Sequence, residues 1–476
     1  MNTTPKPSTV AEQPTKSTFS KSLFWLGSAQ VLGRIVRLAS SIILARLLTP
    51  EIFGQVAIIL ACFELICTPT RRITSAALIK MDDVSLAASL ANANKTNWIA
   101  TLTAFVAMSL LSWPLALFNQ DSTLIAPMIL MATSYLLLPF GMLYAAINLR
   151  ANNMRRVGRA ILWQTILDGL LTAALALMGL GIWAIILPKV LVIFVWIAIH
   201  RYRNPLPQLM SQPQTSPKPL KSESVITPKE NTFTSSNHAK AEQWSIGKLF
   251  SFGSQVGLSD LSIALRQNID YLLIGYFLGV EALGVYFFAF NTSLGISLGI
   301  IQSYGTALYS HLCDKTGQVW HSTGNKLLQQ RYVHSLILIL KITIPVIVLQ
   351  SLLAPLYLPF VYGTHWIEAG ALPVFILLCL SGLVRPLGEA SSQLLISLGE
   401  SKLNLSFNIG FTLLLAITIG ICSQWGLTGV ALGILIIHLI AMPAFNLYIH
   451  YFILSSRKGE QPDQLKGFNQ EVHHDA

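Results

Sequence analysis

Charged side chains within long apolar stretches are the residues of this sequence best suited to chemistry. At the centre of a bilayer each Lys, Arg or Asp costs roughly 2.5–3.5 kcal/mol on insertion scales. Several such residues cannot all face lipid, so we expect them to face the protein interior or a water-filled cavity. They are Arg34, Arg37, Glu64, Asp168, Lys189, Asp260, Arg266, Asp270, Lys341, Arg385 and Glu389.

Two arginines stand near the middle of the first apolar stretch, 22–46. Arg34 and Arg37 are three positions apart and therefore share one helix face. Arg34 comes twelve residues after Ser22, a rise of about 18 Å in a helix, which is mid-membrane depth. Paired guanidinium groups bind phosphate oxygens in a bidentate manner, which suits a diphosphate. An ion pair with Glu64 or another buried acid is the alternative, and the sequence leaves both open.

Two further pairs of opposite charge are each separated by four positions. They are Arg266 with Asp270 and Arg385 with Glu389. Charges at this spacing share a helix face, so neutralisation within each pair is the simpler interpretation. The alternative is that one of the acids binds a proton or Na⁺ during transport. Lys341 is predicted to pair with an acid of the seventh or tenth apolar stretch.

The elements that carry these residues are predicted to be membrane-spanning helices. The chain is 53% apolar and only 11% charged, whereas soluble domains carry about 25% charged residues. Its apolar stretches reach the roughly 20 residues that a spanning helix needs, without the alternation of a barrel strand. We expect an all-α integral membrane protein of about twelve helices. The predicted spans are 22–46, 52–70, 97–118, 123–149, 159–180, 182–200, 248–277, 283–308, 332–354, 370–397, 404–423 and 427–453.

The distribution of basic residues predicts the topology. If the chain starts in the cytoplasm, most of its 32 Lys and Arg residues fall in inside segments and none lies clearly in an outside loop. This bias orients membrane proteins, so both termini are predicted to be cytoplasmic. The same bias explains the net charge of +11 without a nucleic-acid partner.

One long polar segment divides the predicted helices into two sets of six. Residues 204–246 are rich in Pro, Ser, Thr, Lys and Gln, which is typical of a flexible cytoplasmic linker. The expected domain plan is a disordered cytoplasmic tail, an N-terminal bundle, this linker, a C-terminal bundle and a second cytoplasmic tail. The first tail is 1–21 and the N-terminal bundle is 22–203. The C-terminal bundle is 247–454 and the second tail is 455–476.

The two halves share a weak internal similarity. Residues 43–57 align with 273–287, which places Gly54 on Gly284. Two six-helix halves that both begin inside imply a pseudo-twofold axis along the membrane normal. Transporters with parallel repeats of this kind bind their substrate between the halves. The two bundles are therefore predicted to be pseudo-symmetric.

Motifs for other chemistry are absent from the sequence. It contains no G-x-x-x-x-G-K-[ST], H-E-x-x-H or G-x-S-x-G motif, which argues against ATP hydrolysis and against two common hydrolase types. Its five cysteines form no C-x-x-C, so neither a zinc site nor a disulfide framework is indicated. No cofactor, metal or enzymatic activity is predicted.

Several stretches resemble the polysaccharide and oligosaccharide flippases of the multidrug/oligosaccharidyl-lipid/polysaccharide (MOP) exporter superfamily, including those of lipopolysaccharide type. These stretches are LARLLTPEIFGQVAI with the following AALIKMDD, RQNIDYLLIGYFLGVEALGVYFFAF, and LMGLGIWAIIL. The resemblance covers residues 22–453. One departure is Arg71-Arg72-Ile73-Thr74-Ser75, where the family usually has an Asp-Leu-Gly-Leu-Gly-like run; this puts the usual inner gate in doubt.

The resemblance implies alternating access between two six-helix lobes with a cationic cavity, to which Arg34, Arg37 and Arg266 could contribute. It implies an undecaprenyl-diphosphate-type oligosaccharide as cargo, moved from the inner to the outer leaflet of a bacterial cytoplasmic membrane for surface polysaccharide (lipopolysaccharide or exopolysaccharide) export. The expected partners are this lipid, membrane lipids and other polysaccharide assembly proteins.

Two other functions remain open at this point. An ion-coupled multidrug or cation antiporter of the same superfamily is the nearest alternative. The candidate cavity has more arginine than acid, which argues against it. A membrane glycosyltransferase or polymerase is the second alternative, and the short predicted outer loops argue against that class.

Overall fold

The computed structural model describes residues 33, 36–151, 153–202, 243–313 and 324–453. All regular elements among these residues are helices. The first helix, α1, is described over 36–47. The others are α2 (Pro50–Lys80), α3 (Asp83–Phe118), α4 (Ile125–Leu137), α5 (Pro139–Arg150), α6 (Met154–Leu177), α7 (Trp183–Arg201), α8 (Ile246–Cys313), α9 (Gly324–Tyr362), α10 (His365–Glu368), α11 (Ala371–Ser381), α12 (Arg385–Ser397), α13 (Ser401–Cys422) and α14 (Gly426–Tyr448).

Eight helical stretches of the described residues are long and apolar enough to cross a membrane. Helices α4 and α5, which are bent by 54° relative to each other, make a ninth if they form one span together. Two of the eight, Ile246–Gly295 and Ser401–Tyr451, are 50 and 51 residues long, about twice the length of one span. The chain turns at Gly279 in the first and at Gly426 in the second, where φ is 87° and 69°. The protein is an all-α, multi-pass membrane protein, as predicted.

Three predicted boundaries are wrong. The second and third predicted spans, 52–70 and 97–118, belong to longer helices, α2 and α3, because hydropathy locates the apolar part of a helix and not its ends. The tenth, 370–397, is broken between Ser381 and Arg385 into α11 and α12. Pro386, in the first turn of α12, lacks the backbone N–H that a continuous helix would need there.

Of the predicted linker 204–246, the structure describes 243–246. The backbone N–H of Trp244 donates a hydrogen bond to the Ser89 hydroxyl over 2.9 Å, and its carbonyl accepts one from Asn92 over 3.0 Å. Trp244 is therefore docked on α3, and residues 204–242 of the predicted linker lie outside the described residues. Both predicted tails lie outside the described residues.

The turns between helices collect at two ends of the bundle, named the outer end and the inner end after the predicted topology. At the outer end the Gln55 side chain donates to the Asp121 carboxylate over 2.6 Å. At the inner end Asn148 donates to the His200 carbonyl over 3.1 Å.

A continuous packing surface joins the two halves, formed by α2 and both arms of α8; we call it the seam. A Cβ on Gly54 would lie 1.9 Å from the Val280 carbonyl oxygen, and a Cβ on Gly284 would lie 1.7 Å from that of Pro50. Only glycine permits such close backbone approach. The contact is reciprocal, since the alignment that places Gly54 on Gly284 also places Pro50 on Val280. This geometry supports the internal repeat.

Aromatic rings fill the outer end of the seam. The rings of Phe288 and Trp366 stack at 3.9 Å, and Phe53 meets Trp366 edge-on at 5.1 Å. The Trp366 indole N–H donates to the Ala45 carbonyl over 2.7 Å. Contacts of α1 and α2 with the second half therefore close the outer end.

Candidate functional site

A cavity of about 500 Å³ lies within the second half, between both arms of α8 and helices α12, α13 and α14. We call it the second-half chamber. It contains four of the charged residues singled out from the sequence and a set of polar side chains beside them. The polar lining residues are Arg266, Gln267, Asp270, Gln302, Arg385, Glu389, Ser392, Asn404, Asn408 and His438.

The break between α11 and α12 places Arg385 in this chamber. α11 ends at Ser381, and Arg385 is the first residue of α12, so a charged residue starts a helix within the bundle. The Arg385 guanidinium carbon lies 5.7 Å from the centroid of the Phe290 ring. A cation above an aromatic face is stabilised by the ring quadrupole, and this contact fixes one face of the guanidinium.

Neither predicted ion pair within a helix forms. Among the described residues, Arg266 has no carboxylate oxygen within 4.0 Å, and neither has Arg385. The Nε atoms of both arginines are buried and have no hydrogen-bond partner. The prediction of self-neutralised Arg266–Asp270 and Arg385–Glu389 pairs was wrong because other residues engage both acids, Tyr286 and Tyr271 at Asp270 and Gln393 at Glu389.

Asp270 is held by two tyrosines. Its carboxylate accepts a 2.7 Å hydrogen bond from the Tyr286 hydroxyl and a 3.0 Å hydrogen bond from the backbone N–H of Tyr271. The rings of Tyr271 and Tyr286 pack at 5.9 Å, and both contact Phe290. The carboxylate is therefore buried and oriented by an aromatic cluster that joins the two arms of α8.

Glu389 is held at the opposite wall of the chamber. It accepts a 2.8 Å hydrogen bond from the Gln393 amide. A Cβ on Gly305 would lie 2.3 Å from its carboxylate oxygen, so α8 packs directly on this side chain.

His438, Asn404 and Asn408 also line the chamber. None of the three was predicted from the sequence to be a site residue. His438 Nδ1 lies 2.8 Å from the Ile434 carbonyl, and its ring meets Phe411 edge-on at 5.1 Å. The two asparagines are four positions apart and therefore share one face of a largely apolar helix. This polar pattern was visible in the sequence. Nothing local in the sequence distinguishes His438 from a structural histidine.

The first-half candidates are only partly described. Arg34 lies outside the described residues. Arg37 is exposed, and its Nε donates to the Gly33 carbonyl over 3.4 Å in the same helix. The exposed Glu64 carboxylate accepts a 3.0 Å hydrogen bond from Thr68. Arg37 and Glu64 do not form the alternative ion pair.

The C-terminal end of α1 contacts the second half. The Ala45 carbonyl accepts the hydrogen bond from the Trp366 indole. The neighbouring Arg46 donates to the Val361 carbonyl over 2.7 Å. Arg37 lies eight residues before Ala45, about two turns earlier along the helix.

The four other charges of the apolar stretches, Asp168, Lys189, Asp260 and Lys341, have clear positions. Lys189 pairs with Asp168 over 3.2 Å within the first half. Arg72 pairs with Asp260 over 2.5 Å and so links the two halves at the inner end of the seam. Lys341 is exposed on α9, and in the described part of the chain it forms no ion pair, so its predicted pairing was wrong.

Known structures share this fold. An inward-facing multidrug resistance MATE family transporter of the MOP superfamily matches with a TM-score of 0.64 at 15% identity, covering 90% of this chain and 96% of that chain. The lipid II flippase MurJ in an inward closed conformation matches with a TM-score of 0.67 at 12% identity, covering 89% and 86%. The chain therefore has the fold of the MOP superfamily transporters.

Sequence comparison then defines the family. The family described as polysaccharide biosynthesis protein matches residues 43–209 and 233–371, more than half of the chain. The protein therefore belongs to this polysaccharide biosynthesis family, as the sequence resemblance predicted.

Two characterised relatives are more distant. Teichuronic acid biosynthesis protein TuaB of Bacillus subtilis (strain 168) is 25% identical over 177 residues, 37% of this chain and 35% of that protein. Lipopolysaccharide biosynthesis protein WzxC of Escherichia coli (strain K12) is 25% identical over 207 residues, 43% of this chain and 39% of that protein. The matches thus span less than half of these relatives.

Proposed function

We propose that this protein flips a lipid-diphosphate-linked oligosaccharide from the inner to the outer leaflet of a bacterial cytoplasmic membrane, in surface polysaccharide biosynthesis. The cargo is of undecaprenyl-diphosphate type. The observation that carries the proposal is a set of arginines that have no ion-pair partner among the described residues: the exposed Arg37 on α1, and Arg266 and Arg385 in the second-half chamber.

The helix order supports a twelve-span arrangement in two six-helix bundles. The bent pair α4–α5 and the broken pair α11–α12 each count as one span, and the two arms of α8 count as two. With α1, α2, α3, α6, α7, α9, α13 and α14 this arrangement gives the twelve spans predicted from hydropathy. Both termini then lie on the side that carries the basic loops, the cytoplasm.

The contacts between the halves suggest how access alternates. Arg46 and Ala45 of α1 contact the outer end of the second half, whereas the seam glycines keep α2 against α8 along its length. We infer that the outer contacts of α1 form the closed gate of this state and that the seam is the axis of rocking. Arg37, about two turns before these contacts, then faces cargo that enters from the inner leaflet.

A cation or multidrug antiporter shares the fold, so the fold alone does not decide between the two. The family match favours the flippase, because the matching family is described as polysaccharide biosynthesis protein. The chamber itself does not have the predicted excess of arginine over acid, since Arg266 and Arg385 occupy it together with Asp270 and Glu389. Dye-efflux measurements on proteoliposomes separate the two functions, because an antiporter moves cationic dyes and a lipid flippase does not.

The direct test follows the cargo in cells. Deletion of the gene should leave lipid-linked saccharide units on the inner leaflet, and the wild-type gene should restore their export. The double variant Arg34→Ala/Arg37→Ala should reach the membrane normally but fail to restore export. Arg159→Ala is the matched control, since it removes an exposed arginine at the inner end of α6. No accumulation in the deletion strain, or full export by the double variant, would refute the proposal.

A further inference from the structure

The second-half chamber contains charged donors that no atom of the described residues satisfies. Arg266 Nε and Arg385 Nε are both buried without a hydrogen-bond partner, and neither guanidinium donates to another described residue. An unsatisfied buried donor is costly, and a charged one more so. Because the chamber measures about 500 Å³, it has room for a ligand that brings the missing acceptor oxygens.

The charge balance of the chamber limits what this ligand can be. Two arginines share the space with two acids, Asp270 and Glu389, so the formal charges cancel. A diphosphate brings several negative charges against both acids, and like charges in a low dielectric repel strongly. A single carboxylate brings one charge, and its two oxygens match the fork of a guanidinium.

The other polar residues suit hydroxyl groups. Gln267, Gln302, Asn404 and Asn408 each offer a carbonyl acceptor and an amide donor pair, which matches groups that both donate and accept. Apolar ring faces from Phe407 and the other phenylalanines of the chamber complete the lining. A hydroxyl-rich ring bearing one carboxylate fits this combination.

We propose that the second-half chamber is a subsite for one acidic sugar, a uronate residue of the transported saccharide. Arg266 and Arg385 bind its carboxylate, and the amides bind its hydroxyls. Gln267 and Gln302 have exposed side chains at the rim, where the rest of the saccharide leaves the chamber. This inference rests on the proposed flippase function and adds a selectivity for saccharides that contain an acidic sugar.

Calorimetric titration of the purified full-length protein in nanodiscs tests the subsite without transport. The probes are methyl β-D-glucuronide, its neutral counterpart methyl β-D-glucoside, and sodium pyrophosphate. We expect saturable binding of the glucuronide at one site and at least about tenfold weaker binding of the glucoside, because charge-assisted hydrogen bonds are lost. Equal affinity for both glycosides, tighter binding of pyrophosphate at the same site, or no glucuronide binding at its solubility limit would each overturn the proposal.

Variants locate the binding. Arg266→Gln and Arg385→Gln should each weaken glucuronide binding by about tenfold or more. Arg385→Lys retains the charge but loses the bidentate fork, so this variant should also bind the glucuronide more weakly. If size-exclusion chromatography shows that Arg385→Gln does not fold, Arg385→Lys takes its place. Lys402→Gln removes an exposed positive charge from the same half without altering the chamber and should bind as wild type. Equal binding by all four variants would place the site elsewhere.

The outcome is separable from the proposed function. If the wild-type protein flips lipid-linked saccharides but binds no glucuronide, the acidic-sugar subsite is wrong and the flippase assignment stands. If it binds glucuronide through Arg266 and Arg385 but moves no lipid-linked saccharide, the subsite stands and the assignment is wrong.

Discussion

Alanine at either seam glycine should force α2 and α8 apart. A Cβ on Gly54 would lie 1.9 Å from the Val280 carbonyl oxygen, whereas ordinary contact begins at 3.4 Å, so the two backbones must separate by about 1.5 Å. The obstacle is backbone, which cannot rotate away as a side chain could. Overpacking of this kind typically costs about 1–3 kcal/mol. Gly284→Ala meets the Pro50 carbonyl oxygen at 1.7 Å and should cost a similar amount.

The reciprocal geometry makes a sharper prediction for the double variant. Once one alanine has separated the helices, the second enters space that is already open. The two free-energy changes should therefore not add, and Gly54→Ala/Gly284→Ala should lose roughly as much stability as one single variant. Neighbouring residues that share one interface show such coupling, whereas distant residues do not.

Thermal unfolding of the purified protein in nanodiscs measures these changes. The control is Gly410→Ala, at an exposed position inside α13 where a Cβ meets nothing within 4 Å. That variant should be neutral or slightly stabilising, because alanine favours a helix over glycine by about 1 kcal/mol. Additive losses in the double variant, or a Gly54→Ala protein as stable as Gly410→Ala, would contradict the reciprocal contact.

Two further predictions concern charges at the two ends of the molecule. Partial burial raises the pKa of Asp121, but hydrogen bonds from Thr123 and Gln55 outweigh it and hold that pKa below its usual value. Asp121→Asn should therefore lower thermal stability at neutral pH. The difference from the wild type should vanish as pH falls below about 4, where the Asp121 carboxylate becomes protonated. A difference that stays the same across that range would contradict the prediction. Asp260→Asn should lose no more than about 1 kcal/mol, because its pair with Arg72 is partly exposed. The exchange Arg72→Asp/Asp260→Arg should restore stability, and failure to do so would show that the two charges do not interact.

Much of the architecture was predictable because it follows from local patterns. Apolar length and the lack of alternation predicted spanning helices, and the alignment of Gly54 with Gly284 predicted that the two glycines hold equivalent positions in the two halves. The insertion cost of charge in a membrane selected Arg266, Asp270, Arg385 and Glu389, and the structure brings all four to one chamber.

The partners of these charges were not predictable from spacing. Positions four apart share a helix face, but which partner an acid takes depends on the neighbouring helices. Asp270 accepts its hydrogen bond from Tyr286, on the other arm of α8. Arg72 and Asp260 meet across 188 positions of sequence, a contact that no local pattern reveals.

The extent of the helices was also hidden. Hydropathy follows the depth of the bilayer and not the ends of a helix. α2 continues past its predicted span into a segment that carries Arg71, Arg72 and Lys80, and α3 begins before its predicted span in a segment that carries Lys95. The break before Arg385 was missed because the apolar stretch continues through it, although Gly382 and Pro386 flank the break in the sequence.

The central claim is that arginines of the two halves carry an anionic lipid-linked saccharide across the membrane. Its most direct test is a leaflet assay in proteoliposomes with an NBD-labelled undecaprenyl-diphosphate saccharide and a membrane-impermeant reductant. The account predicts that wild-type protein exposes nearly all of the labelled lipid to the reductant, whereas Arg34→Ala/Arg37→Ala leaves the inner-leaflet share protected. Equal exposure with both proteins, or protection with the wild type, would contradict it.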